Sequence, residues 1–228
     1  ASEYNKLMGA ILEKRVAHDM SLSVMSGIEH ALLITPECYT LWNYRREILL
    51  AQLEKTTETS PLLQEKPIEQ ELFFIKKALD VNPKVYSMWN HRLFLVQLLK
   101  KRREERGEDT NKLLTEEVEL VERQLHRDAR NFHAWTHLRN LVNDICKREE
   151  VFVAKASSLC SALVHKDPGN WSAWHHWGLW SDLEDKEFRK SWVELAQDAC
   201  LLLPESETPW YALEMAERFM LGEEDELK

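Results

Sequence analysis

Residues 82–92 read Asn-Pro-Lys-Val-Tyr-Ser-Met-Trp-Asn-His-Arg, and this stretch is the clearest copy of a pattern that recurs along the chain. In it, a tryptophan follows a proline by six residues and an aromatic residue by three. The tryptophan position recurs five times in the 228 residues, at steps of 47, 46, 39 and 36: Trp42, Trp89, Trp135, Trp174 and Trp210. Steps of this size are typical of repeat proteins, so each copy predicts one structural unit.

The sequence on either side of each proline indicates that the unit is a helix hairpin. Before the turn, residues 114–128 carry apolar side chains at helical spacing: Leu114, Val118, Val121 and Leu125. After it, a second apolar-periodic stretch begins, as in residues 86–99. Proline ends the first helix because it lacks an N–H group and restricts the residue before it. One hairpin cannot bury its own apolar face, so neighbouring units are expected to stack.

The predicted fold is all-α, a single helical-repeat domain over residues 1–228. A leading helix over residues 3–17 precedes five hairpins, at 21–34 with 41–55, 68–80 with 86–106, 114–127 with 132–147, 150–166 with 171–183, and 186–202 with 208–221. Residues 54–67 and 106–112 are predicted to be long loops. The charged run over residues 100–106 is predicted to be the solvated end of a helix, with a partner-binding patch as the alternative.

Two aromatic patterns predict packing between the units. The aromatic residue three before each tryptophan shares a helical face with it, so the pair is expected to fill the seam between units. The fourth unit carries four tryptophans at a spacing of three: Trp171, Trp174, Trp177 and Trp180. This stripe predicts either core packing or a groove for a partner.

Composition excludes several classes of protein. The hydrophobic fraction of 44% is too high for a disordered chain, and 6 glycines with 7 prolines are too few for an all-β fold. A net charge of -9 argues against nucleic acid as the main partner, and no apolar run is long enough to span a membrane. The four cysteines form no C-x-x-C pair, which indicates reduced thiols in a cytoplasmic protein.

The repeat resembles that of the protein prenyltransferase α subunits. The resemblance is carried by P-x-x-Y-x-x-W-N-Y-R-R over residues 36–46, by N-P-K-x-Y-x-x-W-N-H-R over residues 82–92, and by D-A-R-N-F-H-A-W-T-H over residues 128–137. The first unit most resembles that of the Rab geranylgeranyltransferase α subunits. Farnesyltransferase α subunits typically have glutamine where this chain has Ser87.

The resemblance implies a crescent of helix hairpins that wraps around a β subunit. It also implies that the β subunit holds the zinc and the lipid pocket, while the α subunit supplies a lysine near the lipid diphosphate. That lysine maps to Lys84, and Tyr86 and His133 map to positions that line the cleft. The implied reaction transfers geranylgeranyl from geranylgeranyl diphosphate to C-terminal cysteines of a Rab-type GTPase, with an escort protein as a further possible partner.

The residues themselves support a diphosphate contact at Lys84 and argue against a metal site. Lys84 is predicted to stand where a helix begins, so its ammonium adds to the positive end of the helix dipole. His133 and His137 are spaced i, i+4, but they lack the glutamate of an H-E-x-x-H motif and a third ligand. The chain is therefore not expected to bind zinc itself, and it is expected to be inactive alone.

Two other functions stay open at this point. The third and fourth units lose the arginine that follows the tryptophan by three residues, where Leu138 and Trp177 stand instead. Such departures leave room for a helical-repeat scaffold without catalysis. The chain also fits the α subunit of a farnesyltransferase or of another geranylgeranyltransferase.

Overall fold

The fold was analysed in a computed structural model, which describes residues 3–55, 60–181 and 185–221. These residues form eleven α-helices and one π-helical turn, and they contain no strand. None of the described helices is both long and apolar enough to cross a membrane. The predicted all-α fold of helix hairpins is confirmed.

The chain divides into two compact units, Ala1–Leu113 and Leu114–Lys228. The first unit contains a leading helix and two hairpins: α1 (Glu3–Val16), α2 (Ser23–Ile34) with α3 (Tyr39–Lys55), and α4 (Pro61–Val81) with α5 (Tyr86–Glu105). The second unit contains three hairpins: α6 (Asn111–Arg127) with α7 (Phe132–Asn140), α8 (Glu150–Lys166) with α9 (Trp171–Trp180), and α10 (Lys186–Leu202) with α11 (Glu207–Leu221). Helix α6 begins just before the boundary between the units, and the π-helical turn Leu141–Ile145 follows α7.

The repeated tryptophan fixes the turn of each of the first four hairpins. Its indole N–H donates to the backbone carbonyl six residues earlier, over 2.7 to 2.9 Å, and its ring is buried: Trp42 to Pro36, Trp89 to Pro83, Trp135 to Ala129 and Trp174 to Pro168. The fifth tryptophan departs from the pattern, since Trp210 is 56% exposed. In that hairpin the buried indole belongs to Trp192 of α10, which donates to the Ala212 carbonyl over 2.8 Å.

The predicted loop over residues 54–67 is wrong over most of the part that the structure describes. Helix α4 begins at Pro61, where the missing N–H costs little, and it continues through Pro67. Its early turns are held by Glu65, which is buried and pairs with Arg103 in the last turn of α5 and with Arg106, the residue that follows α5. Residues 56–59 of the predicted loop lie outside the described part of the chain.

The same ion pairs correct the interpretation of the charged run over residues 100–106. Arg103 lies 2.9 Å from Glu65, and Arg106 contacts both Glu65 and Glu108. The arginines therefore tie the end of α5 to α4 instead of standing free in solvent. Lys101, Glu104 and Glu105 are exposed, so the predicted solvated helix end holds for these three residues.

Candidate functional site

The candidate site lies at the amino end of α5, at the turn that follows α4. Lys84 occupies this turn and is exposed, and Tyr86 is the first residue of α5. The Tyr86 ring is 46% exposed and lies 6.3 Å from the ring of Tyr39, the equivalent residue of the preceding hairpin. Two of the three predicted site residues thus share one short stretch of surface.

The start of α5 lacks the side-chain cap that the starts of α7 and α9 have. The residue four before the tryptophan caps α7 and α9, because Asn131 accepts from the N–H groups of His133 and Ala134, and Asn170 accepts from that of Ala173. The equivalent residue of α5 is Val85, whose side chain makes no capping hydrogen bond. Because no side chain of residue 85 competes for this position, the positive end of the helix dipole favours an anion there.

The third predicted site residue, His133, lies in the second compact unit. It is half-buried in the first turn of α7, and its ring lies 5.8 Å from that of Phe132. Its backbone N–H is one of the two that Asn131 caps, at 3.1 Å.

Ser87 has a structural contact that the sequence did not suggest. Its side chain is buried, and its hydroxyl donates to the carbonyl of Pro36 over 2.9 Å. The same carbonyl accepts the indole N–H of Trp42. Ser87 therefore fastens the second hairpin to the first.

The predicted role of the aromatic residue before each tryptophan is only partly confirmed. Tyr39 and Tyr86 meet across the first two hairpins, and Trp171 stacks on Tyr211 of the next hairpin. These side chains were expected in the seams, but they are 46 to 71% exposed: Tyr39, Tyr86, Phe132 and Trp171. The tryptophan ring is held against its own turn by the indole hydrogen bond, so the seam closes around that ring, while the first residue of the helix stays at the end of the hairpin. As a result, the exposed ring of Tyr86 lies two residues after Lys84 in the chain, and the exposed ring of Phe132 directly precedes His133.

The stripe of four tryptophans in α9 divides between the core and the surface. Trp174, Trp177 and Trp180 are buried, which confirms core packing for these three. Trp171 is 48% exposed and lines a cleft in the second unit.

A buried charged network joins α3, α4 and α5, and the sequence analysis missed it. Arg45 of α3 and His91 of α5 both bind the carboxylate of Glu71 of α4, at 2.5 to 3.0 Å. Arg46 also donates to His91 Nδ1 over 3.1 Å. Burial opposes ionisation of Glu71, but the hydrogen bonds from Arg45 and His91 outweigh it and lower its pKa to about 2. A glutamate 20 residues before the histidine was the available signal, since Glu117 pairs with His137 at the same spacing.

No three His, Cys, Asp or Glu side chains within residues 3–55, 60–181 and 185–221 are grouped so that they could hold a metal ion. The pair that the sequence singled out, His133 and His137, does not fit a metal site. His137 is buried, and its Nε2 lies 2.7 Å from Glu117, so that nitrogen already has a partner.

Comparison with known proteins agrees with the repeat. The family model of the protein prenyltransferase alpha subunit repeat matches residues 26–52, 68–99 and 114–145. The geranylgeranyl transferase type-2 subunit alpha of Candida albicans is 31% identical over 76% of the chain, and that of Homo sapiens is 30% identical over 97%. The chain spans 47% and 38% of these two relatives, which is less than half of each.

A solved structure shows the same fold. A chain of the Candida albicans protein geranylgeranyltransferase-I complexed with GGPP aligns with 96% of this chain at a TM-score of 0.75. The alignment covers 68% of that chain, at 22% sequence identity.

Proposed function

Because the chain belongs to the family built from the protein prenyltransferase alpha subunit repeat, we propose that it is the α subunit of a heterodimeric protein geranylgeranyltransferase. The type-2 subunits among its relatives favour the Rab type. The substrates are then geranylgeranyl diphosphate and the C-terminal cysteines of a Rab-type GTPase, with an escort protein as a further partner. A β subunit completes the enzyme in the cytoplasm.

The observation that carries the proposal is the exposed Lys84 beside the uncapped start of α5. The equivalent residues of the other four hairpins are Glu37, Arg130, Gly169 and Glu205, so only the third hairpin also has a cation there. In that third hairpin, however, Asn131 occupies the first N–H groups of the helix. The second hairpin therefore combines a cation with a helix start that the side chain of residue 85 does not cap, and both features favour a diphosphate.

Lys84 would act on the leaving group. In the transfer step, the cysteine sulfur forms a bond to the first carbon of the isoprenoid while the bond from that carbon to the diphosphate oxygen breaks. The bonding electrons leave with the diphosphate, so negative charge on its oxygens grows in the transition state. A fixed ammonium group at that point stabilises the transition state more than the bound substrate.

The residues of this chain leave the activation of the sulfur to the partner. A zinc ion in the β subunit would lower the pKa of the cysteine thiol and supply a thiolate. Tyr86, exposed two residues after Lys84, and His133, half-buried in the first turn of α7, are the proposed contacts that orient the substrates.

The proposal is tested by Lys84→Ala in the heterodimer reconstituted with a prenyltransferase β subunit. We expect single-turnover transfer at saturating lipid to slow by about 30- to 1,000-fold, which corresponds to roughly 2–4 kcal/mol of transition-state stabilisation. Heterodimer formation, measured by gel filtration, should stay unchanged because the side chain is exposed. Lys84→Arg should retain part of the rate, since it keeps the charge.

The matched control is Glu37→Ala, at the equivalent exposed position of the first hairpin, and it should have little effect. Transfer by Lys84→Ala within about threefold of wild type would exclude Lys84 as the diphosphate ligand. A wild-type heterodimer that assembles but transfers no lipid would instead support the alternative function, a helical-repeat scaffold without catalysis.

A further inference from the structure

A cleft of about 580 Å³ lies within the second unit, along α9 and α11. It is separate from the candidate site at Lys84, whose residues do not line it. Its lining combines three arginines with three ring side chains: Arg139, Arg148, Arg218, Trp171, His175 and Tyr211. No step of the proposed transfer reaction uses these residues.

One wall of the cleft is a stack of rings. Trp171 and His175 lie parallel, with ring centres 4.8 Å apart and planes 9° apart, and Tyr211 stacks on Trp171 at 5.1 Å. His175 Nδ1 and the Tyr211 hydroxyl share a hydrogen bond of 2.9 Å. Burial and the nearby Arg139 lower the pKa of His175, so this wall is uncharged at neutral pH. It offers flat apolar surface to a ligand.

The charges of the lining are mostly positive. Arg139 is exposed near the end of α7, and the guanidinium of Arg148 is held over the cleft by the carbonyl of Leu179 at 3.0 Å. Arg218 pairs with Glu214, which is the one carboxylate among the lining residues. Three guanidinium groups face one carboxylate, in a chain with a net charge of -9. A ligand that prefers this cleft to the rest of the surface is negatively charged.

The arrangement of the lining suits a polypeptide segment better than a small anion. Trp171 and Leu179 both line the cleft from α9 and are eight residues apart, which is about 12 Å along a helix. The arginines come from three different elements and do not converge through one helix start. A length of about 12 Å accommodates roughly four residues of extended chain.

We propose that this cleft binds an acidic segment of the β subunit, which places at least two carboxylates against the arginines and an apolar side chain against the rings. The inference rests on the proposed function. Trp171 is the first residue of α9, as Tyr86 is the first residue of α5, so the cleft uses the repeat position that serves the candidate site in the first unit.

The test measures the dissociation constant of the heterodimer for charge-reversed variants of the full chain. Arg139→Glu should weaken assembly about tenfold, and Arg139→Glu with Arg148→Glu about 100-fold, with a smaller effect at high salt. The matched control is Arg123→Glu, which reverses an exposed arginine of α6 outside the cleft and should leave the constant unchanged. Circular dichroism of each variant checks that the helices are intact.

The outcomes separate the cleft from the proposed function. A wild-type chain that binds no β subunit overturns both. Wild-type assembly with cleft variants that bind as tightly as Arg123→Glu overturns the cleft alone.

A second measurement identifies the occupant directly. Benzoylphenylalanine at Leu179, which lines the cleft and is half-buried, is photo-cross-linked in the assembled heterodimer and the product is sequenced. A β-subunit peptide with two or more Asp or Glu residues within about five positions supports the proposal. A neutral or basic peptide, or one from a second copy of this chain, overturns it.

Discussion

Arg45 Nη2 lies 2.5 Å from Glu71 Oε2, and this bidentate ion pair joins the first hairpin to the second with both side chains buried. Later hairpins change both members of the pair together. In the third hairpin, Leu138 stands at the Arg45 position, and in the fourth hairpin Ala156 stands at the Glu71 position. For the next such pair, the two positions are occupied by Trp177 and Trp192. The last two rings lie 4.9 Å apart, so an apolar contact replaces the ion pair. No arginine at this position is left facing a missing carboxylate.

This coupling predicts a strongly non-additive pair of substitutions. Arg45→Leu leaves the buried Glu71 carboxylate with only the His91 contact of this network, and Glu71→Ala leaves the buried Arg45 guanidinium without its carboxylate. Each should lower the free energy of unfolding by roughly 3–5 kcal/mol. The double variant copies Leu138 and Ala156 and should cost clearly less than either single variant. Urea denaturation followed by tryptophan fluorescence measures all four proteins. Additive losses would show that the two side chains contribute independently.

The tryptophans should contribute unequally to stability, because only some of them donate the indole hydrogen bond that fixes a hairpin turn. Trp89→Phe removes the donor to the Pro83 carbonyl, at 2.8 Å in a buried site, and should cost roughly 1–3 kcal/mol of stability. Trp210→Phe changes a ring that is 56% exposed and should stay within about 0.5 kcal/mol of wild type. Thermal denaturation of the two variants measures the difference. Equal losses at both positions would contradict the role assigned to the indole N–H.

The helices were predictable because periodicity and proline report directly on backbone structure. The predicted 150–166 and 186–202 coincide with the observed α8 and α10. The helix was predicted to begin only after Pro67, since the sequence alone does not show that Glu65 binds two arginines at the end of the next helix. Ion pairs between helices depend on tertiary contacts, which a local pattern does not contain.

The candidate site was predictable only in part. Lys84 stands out in the motif, and the contrast between Val85 and the capping residues Asn131 and Asn170 is visible in the sequence. The structure adds that Asn131 and Asn170 cap their helices, which the sequence alone did not show. The arginine cleft has no sequence signature, because Arg139, Arg148 and Arg218 come from three elements without a common spacing.

The proposed anion site predicts a specific effect of capping α5. Val85→Asn supplies the side chain that caps α7 and α9. The new hydrogen bonds to the first N–H groups offset the lost burial of the Val85 side chain, so stability should stay within about 1 kcal/mol of wild type. The same bonds would occupy the donors proposed for the diphosphate, so transfer should slow while Lys84 is unchanged. Thermal denaturation and single-turnover transfer are measured together. A folded enzyme with unaltered transfer would show that the diphosphate does not use this helix start.

Acid should destabilise the second unit through His176. This histidine stacks on Trp135 at 4.7 Å and has Ala156 where the second and third hairpins have Glu71 and Glu117. Burial is the main cause that lowers its pKa from 6.5 to about 4, against the opposing hydrogen bond to the Ser172 carbonyl.

The unfolded chain therefore takes up a proton near pH 6.5 that the folded chain accepts only near pH 4. Stability contributed by the neutral imidazole is complete above pH 6.5 and decreases as the pH falls to about 4, by roughly 2–3 kcal/mol. His176→Gln keeps a donor for the Ser172 carbonyl but does not titrate, so its unfolding free energy should fall less over this range. Urea denaturation at several pH values between 4 and 7 compares the two proteins. Parallel pH profiles would mean that His176 does not control the acid sensitivity of this unit.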